Sequence, residues 1–141
     1  MRRNAEVVDH LKQVSLFSKC SKKDLATVAK EAEILMYEAG SNIVSQGQTG
    51  NAFYVVLDGF AIVRRNGRKV GELHRGDFFG ELALLDPAPR NADVEARTKV
   101  TVARLLVGPF RSVLRSVPAL NERLLAGLAR RVRDADRRVV E

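Results

Sequence analysis

The residues with the clearest chemical potential lie in one short segment, residues 78–92. Gly80 and Glu81 stand near its start, and Arg90 stands near its end. The leucine- and alanine-rich run between them favours a single helical turn, which Pro87 would end. The first amide N–H groups of such a turn lack intrahelical partners and carry partial positive charge, so this segment predicts an anion site.

Three residues around this turn would determine which ligand the site accepts. Gly80 would let a ligand approach the backbone closely, and Arg90 offers a paired fork of donors to the same anion. Glu81 would repel an anion, but it suits a ligand that also presents hydroxyl donors, as a ribose does. Taken singly, Arg90 also fits a surface arginine and Glu81 an ordinary helix-start residue.

The elements that must position this segment fall into three zones. Residues 4–35 have helical periodicity, whereas residues 36–107 form short β-rich runs separated by glycines. Residues 109–138 are helical again. Turn signals every 8–12 residues or so in the central zone predict a β-sandwich or barrel with helices on either side.

Two local patterns in the central zone are specific. Phe53–Leu57 is a strong strand. The dipeptide Asn66-Gly67, between the runs Ala61–Arg65 and Arg68–Leu73, predicts a two-residue hairpin turn because both turn positions need a positive φ.

The flanking helices have their own start signals. Ser21 predicts an N-cap, with the helix continuing through Ala32, and Leu16 and Phe17 before it are expected to plug a neighbouring core. A strand over Val100–Val107 is expected to stop at Gly108-Pro109, where Pro109 opens a helix, and Pro118 separates that helix from a longer one over 119–138. One face of the last helix is apolar: Leu120, Leu124, Leu128, Val132, Ala135 and Val139.

Composition restricts the class of protein but does not choose the ligand. The formal net charge of +7 attracts anions in general. The single cysteine, Cys20, excludes an internal disulfide, and neither a signal-peptide core nor a membrane span is evident. We therefore predict a cytoplasmic protein of one domain, residues 1–141.

The segment from Gly80-Glu81-Leu82-Ala83 to Pro89-Arg90 resembles the phosphate-binding cassette of cyclic-nucleotide-binding domains. This family includes the catabolite activator protein and the regulatory subunits of cyclic-AMP-dependent protein kinase. The run from Gln46 to Gly59 is similar to the family's strand–turn–strand, and the resemblance covers about residues 11–135. It implies an α+β fold with an antiparallel β-barrel of the double-stranded β-helix or jelly-roll type, in which residues 78–92 form the cassette.

The resemblance also implies roles for individual residues. Glu81 would accept a hydrogen bond from the ribose 2′-hydroxyl, the amides of Leu82 and Ala83 would bind phosphate oxygens, and Arg90 would pair with the phosphate charge. Asn91 follows the arginine where family members carry Ala, Ser or Thr, so the hint on adenine against guanine is lost. Asp93 is a second departure, whose charge would weaken anion binding if it pointed inward.

The leading hypothesis is a regulatory module, not an enzyme, that binds cyclic AMP or, less favoured, cyclic GMP, and that needs no metal or other cofactor. Its last helix would move on binding, with Leu124 and Leu128 capping the base or meeting a second copy of the chain. A homodimer through this helix or an effector protein is therefore the expected partner. The alternatives are a non-binding scaffold of the same fold and a nucleic-acid-binding protein, although the arginine pairs at 64–65 and 130–131 fit solvated faces better.

Overall fold

The computed structural model describes the backbone of residues 2–81 and 89–140, and the side chains of 5–81, 89–131 and 133. In chain order its elements are α1 (Arg2–Lys12), a short 3-10 helix (Ser15–Phe17), α2 (Lys22–Glu31), β1 (Ala32–Tyr37), β2 (Asn42–Val44), β3 (Ala52–Asp58), β4 (Ala61–Arg65), β5 (Arg68–Leu73), β6 (Phe78–Phe79), β7 (Asp93–Ala96), β8 (Val100–Leu106), α3 (Val107–Ser116) and α4 (Pro118–Val140).

The strands form two antiparallel sheets of four strands each. One sheet has the order β1-β8-β3-β6, and the other has the order β2-β7-β4-β5. Side chains from both sheets share one apolar cluster, which includes Tyr54, Phe79 and Val94. The predicted α+β class, with antiparallel sheets and helices at both ends of the chain, is confirmed at this level.

The central strand β3 serves two cores because successive side chains of a strand point to opposite faces. Tyr54 and Val56 pack between the two sheets. Phe53 and Val55 instead face a second cluster, which the helices cover. The Phe53 ring is fully buried there and stacks on Phe110 of α3, with 4.7 Å between ring centroids. Through these contacts the helices pack against the outer face of the sheet that contains β3.

Several local predictions are confirmed at the level of single residues. The hairpin joins β4 and β5 through Asn66 and Gly67, whose φ angles are 55° and 80°. Ser21 accepts a hydrogen bond from the Asp24 amide, and Asp24 accepts one from the Ser21 amide, which completes a capping box. Leu16 and Phe17 are both buried, as expected of plugs.

Several boundaries differ from the sequence prediction. The first helical zone was expected to reach residue 35 with Ala32 inside it, but α2 ends at Glu31 and Ala32 begins β1. Ala32 pairs with Leu105 in β8 and stays buried, so its apolar character fits either element. At the other end β8 stops at Leu106, one residue early, and α3 begins at Val107, with Pro109 still in its first turn.

In the described part of the chain, we find no helix with both the length and the apolar composition needed to cross a membrane.

Candidate functional site

Two chain segments pair to form the base of the site. Residues 47–49 run beside Pro89 and Arg90: the Gly47 amide donates to the Arg90 carbonyl at 2.8 Å, and the Arg90 amide donates to the Gln48 carbonyl at 2.7 Å. Thr49 forms an isolated antiparallel bridge with Pro89. These contacts fix the backbone of Arg90 before its side chain makes any interaction.

The Arg90 guanidinium lies in a gap that only glycine leaves open. A Cβ atom on Gly50 would overlap the guanidinium, and one on Gly80 would lie 2.8 Å from Nη1. Nη2 donates to the Ala52 carbonyl at 2.8 Å, and the guanidinium carbon lies 5.9 Å from the centroid of the Tyr54 ring. Gly80 has a φ of +86°, a backbone conformation that favours glycine. It also lacks the Cβ atom that would crowd the guanidinium.

No carboxylate among the described residues forms an ion pair with Arg90. The side chain is half-buried, so its charge is only partly screened by water. A half-buried cation without a carboxylate partner favours an anionic ligand, and the fork of donors suits phosphate or carboxylate oxygens.

A cavity of about 440 Å³ lies over this arginine. Its size is in the range of small-molecule sites, roughly 300–1,000 Å³. The wall brings together Gly80, Glu81, Arg90 and Asn91, which are four of the predicted site residues, and adds Phe79. Leu82 and Ala83, the two predicted backbone donors, lie outside the described residues.

Asn91 and the cavity rim are held by further polar contacts. The Asn91 carbonyl accepts a hydrogen bond from Nε of Arg65 at 3.2 Å, and both residues line the cavity. Glu72 also lies at the rim, where hydrogen bonds from Lys69 and then from His74 lower the pKa of its carboxyl group. Glu72 therefore remains ionised near neutral pH.

Glu81 forms an ion pair with Arg131, a residue that was expected to lie on a solvated face. Nη1 of Arg131, on α4, lies 2.5 Å from Oε1 of Glu81. Arg131 also donates to the Phe78 carbonyl, and its guanidinium carbon lies 4.2 Å from the centroid of the Phe78 ring. Arg131 lines the cavity. Its neighbour Arg130 is exposed, as predicted for that arginine pair.

The predicted base cap is not at the cavity in this structure. Leu124 is 4% exposed and belongs to the core cluster under the helices, and Leu128 packs against the same cluster. Among the described residues of α4, the cavity wall contains Arg131 and neither leucine. Their apolar face packs into the core that the helices cover, so a capping role would require the helix to move.

Asp93, the second departure from the family pattern, does not line the cavity. Its Oδ1 accepts a hydrogen bond from the Gln46 amide at 2.6 Å. Asp93 therefore does not present its charge to an anion in the cavity. Instead, its carboxylate links β7 to the segment preceding Gly47.

Comparison with known proteins agrees with this geometry. Residues 34–117 match the cyclic nucleotide-binding domain family. The chain belongs to this family, which confirms the resemblance found in the sequence.

Among curated relatives, the cAMP-dependent protein kinase regulatory subunit of Aspergillus niger is 40% identical over 114 residues. That alignment covers 74% of this chain and only 28% of the relative, so this chain corresponds to about a quarter of that protein.

Two solved structures are similar along most of the chain. The regulatory domain of Toxoplasma gondii PKA, crystallised with cAMP, has a TM-score of 0.78 and 30% identity, covering 92% of this chain and 51% of that one. The catabolite activator protein of Thermus thermophilus has a TM-score of 0.79 and 29% identity, covering 88% of this chain and 61% of that one.

The packing of Arg90 leads to a testable prediction about Gly50. In Gly50→Ala the new methyl group would displace the guanidinium, which is the free end of a flexible side chain. We expect a loss of about 0.5–1.5 kcal/mol in the free energy of unfolding, chiefly because its hydrogen bond to the Ala52 carbonyl is broken. Urea denaturation measures it. Gly108→Ala is the matched control, because a Cβ atom there meets nothing within 4 Å. Equal losses in the two variants would contradict the described position of Arg90.

Proposed function

We propose that this chain is a regulatory domain that binds a cyclic nucleotide in the 440 Å³ cavity, with cyclic AMP preferred over cyclic GMP. The observation that carries the proposal is Arg90, a half-buried cation without a described carboxylate partner, held under a cavity of nucleotide size. Family membership and the cAMP in the similar Toxoplasma structure support the choice of ligand.

The proposed roles of the residues follow from their chemistry. Arg90 pairs with the cyclic phosphate, and Glu81 accepts from the ribose 2′-hydroxyl. The amides of Leu82 and Ala83 complete the phosphate contacts, as the family resemblance implies. Asn91, at the cavity wall with an exposed side chain, is available to the phosphate or the base. The domain is proposed to bind its ligand without chemical conversion.

We also infer that the two sheets are the halves of the predicted jelly-roll barrel. From β1 to β8 the chain alternates between the sheets at nearly every step, and only β4 and β5 are neighbours in both sequence and sheet. Such repeated crossing supports a double-sheet Greek-key architecture of the jelly-roll type.

The partner is proposed to be an effector protein or a second copy of the chain that contacts α4. Leu125 on this helix is 57% exposed, and an exposed leucine on a helix is consistent with such a contact. The curated relatives are kinase regulatory subunits, so a protein kinase catalytic subunit is the first effector to test. A cytoplasmic location remains part of this proposal.

The first prediction from the proposed function concerns binding itself. Cyclic AMP at one hundred times its Kd should stabilise the fold by about 2.7 kcal/mol, which raises Tm by roughly 5–10 °C for a domain of this size. Arg90→Ala should weaken affinity roughly 10- to 150-fold, since a hydrogen bond to a charged group contributes about 1.5–3 kcal/mol.

Calorimetry with both cyclic nucleotides measures these affinities. Arg68→Ala, at the exposed start of β5, is the control for loss of one positive charge. Absence of binding by the wild-type chain at millimolar nucleotide would refute the proposed function and favour a scaffold.

The second prediction concerns the ribose. Wild type should bind cyclic AMP roughly tenfold more tightly than its 2′-deoxy analogue, because a charged acceptor loses its donor in the analogue. Glu81→Ala should remove most of that preference. Glu33→Ala, which removes an exposed acid paired with Arg104, should keep it. If the wild-type chain binds the two ligands equally, Glu81 does not contact the ribose.

The third prediction concerns α4 as the moving element. A ligand shifts a two-state helix only if it contacts one state better. Cyclic AMP should slow amide hydrogen exchange across 120–131, with little change in α1, none of whose described residues lines the cavity. Unchanged exchange in α4 at saturating ligand would mean that this helix neither caps nor reports the ligand.

A further inference from the structure

A second cavity, of about 230 Å³, lies where the 3-10 helix, β6 and α4 meet. It shares Asp77 and Arg131 with the wall of the 440 Å³ cavity, but neither Glu81 nor Arg90 lines it. It is large enough for several water molecules, and therefore for a small ligand group. The function proposed above makes no use of this second cavity.

The wall of the second cavity is rich in arginine. Arg123, Arg130 and Arg131 all line it, and all three belong to α4. Residues seven and eight apart lie on one face of a helix, so the three side chains start from the same side of α4. Among the described residues that line the cavity, Asp77 is the one acid, which leaves an excess of two positive charges.

Two of these arginines have no carboxylate partner in the described part of the chain. Arg131 pairs with Glu81, whereas neither Arg123 nor Arg130 forms an ion pair there. Nη2 of Arg123 donates to the Ser15 carbonyl at 3.2 Å, which holds this guanidinium at the cavity wall. A guanidinium has five N–H donors, so this contact leaves donors for a ligand.

Gly127 keeps the middle of this helix face open. It lies between Arg123 and Arg130 in the cavity wall, and a Cβ atom there would lie 2.8 Å from the Phe78 ring. Glycine is unfavourable inside a helix, so its position in α4 needs a local reason. Any larger residue would have to displace the ring or enter the space between the arginines.

The charge of this wall fits a phosphate group better than a carboxylate. A phosphate monoester carries about 1.5 to 2 negative charges at neutral pH and three acceptor oxygens, which matches two arginines without carboxylate partners. A carboxylate would supply only one charge. Asp77 would repel either anion, and its Oδ2 accepts a hydrogen bond from the His74 amide at 2.8 Å. The anion is therefore expected on the arginine side of the cavity.

We propose that the 230 Å³ cavity is a second anion site, which binds a phosphate group between Arg123 and Arg130. The group is supplied by free phosphate or by a phosphorylated side chain of another protein, and the chemistry of recognition is the same in both cases. Binding here needs no nucleotide in the 440 Å³ cavity, so the test is independent of the proposed function.

The test is a titration of the full chain with inorganic phosphate at about pH 7.5, where phosphate is mainly a dianion. Backbone amide resonances of residues 15–16, 76–77 and 123–130 should shift together and give one common Kd. Any binding of phosphate at Arg90 is followed separately through the amides of 47–50 and 89–90. The two sites are therefore distinguished in one sample.

Substitutions on α4 test which side chains hold the anion. Arg130→Gln should weaken phosphate binding roughly fivefold, an effect between those of an exposed ion pair and a buried charged hydrogen bond. Arg123→Gln should weaken it at least as much. Arg133→Gln is the matched control, because Arg133 is exposed on the same helix and does not line the cavity. Equal affinities of Arg130→Gln and Arg133→Gln, or unshifted amides in tens of millimolar phosphate, overturn the proposal.

A short peptide with one phosphoserine between two glycines distinguishes the two sources of the phosphate group. Binding to the same amides several-fold more tightly than inorganic phosphate would assign the site to a phosphorylated protein, and equal or weaker binding would assign it to free phosphate. The unphosphorylated peptide should leave these amides unchanged. If it shifts them as strongly as the phosphorylated peptide does, the cavity does not recognise phosphate and the proposal is wrong.

Discussion

The arrangement of the site depends on one cation held in a narrow gap. The Arg90 guanidinium fits between two glycines, Gly50 and Gly80, and donates to the Ala52 carbonyl at 2.8 Å. A larger residue at either glycine would expel it. Because the described residues include no carboxylate partner for it, its charge is available to the cavity. Hydrogen bonds between the segments at 47–49 and 89–90 fix the backbone from which this side chain extends.

Local chemistry explains which parts of the fold the sequence could predict. The hairpin at Asn66-Gly67 was predictable because only a few residue types tolerate two successive positive φ angles. The boundary at Ala32 was not, since a buried alanine satisfies a helical repeat and a strand equally well. The same ambiguity affects Val107, which was predicted to be the last residue of the strand but is the first residue of α3 in the structure. The packing of the two sheets on each other depends on long-range contacts that no local pattern encodes.

Some residues of the candidate site could likewise be predicted from the sequence, and others could not. Glu81 and Arg90 could be found because they lie close in sequence, next to a glycine with a positive φ. Arg131 could not, because its approach to Glu81 depends on how α4 docks, 50 residues further along the chain. Leu124 shows the converse case: an apolar helix face predicts burial but not which surface buries it, and in this structure that surface is the core.

Four consecutive residues, 78–81, lie between the cavity and the helices and contact both. Phe78 packs into the helix-covered core, while Phe79 faces the core between the sheets and the cavity. Gly80 lies against the Arg90 guanidinium, and Glu81 pairs with α4. Because closely packed groups cannot shift singly, a displacement of this segment on ligand binding must act on both cores at once. The short strand β6 therefore lies between the Arg90 site and the core that the helices cover.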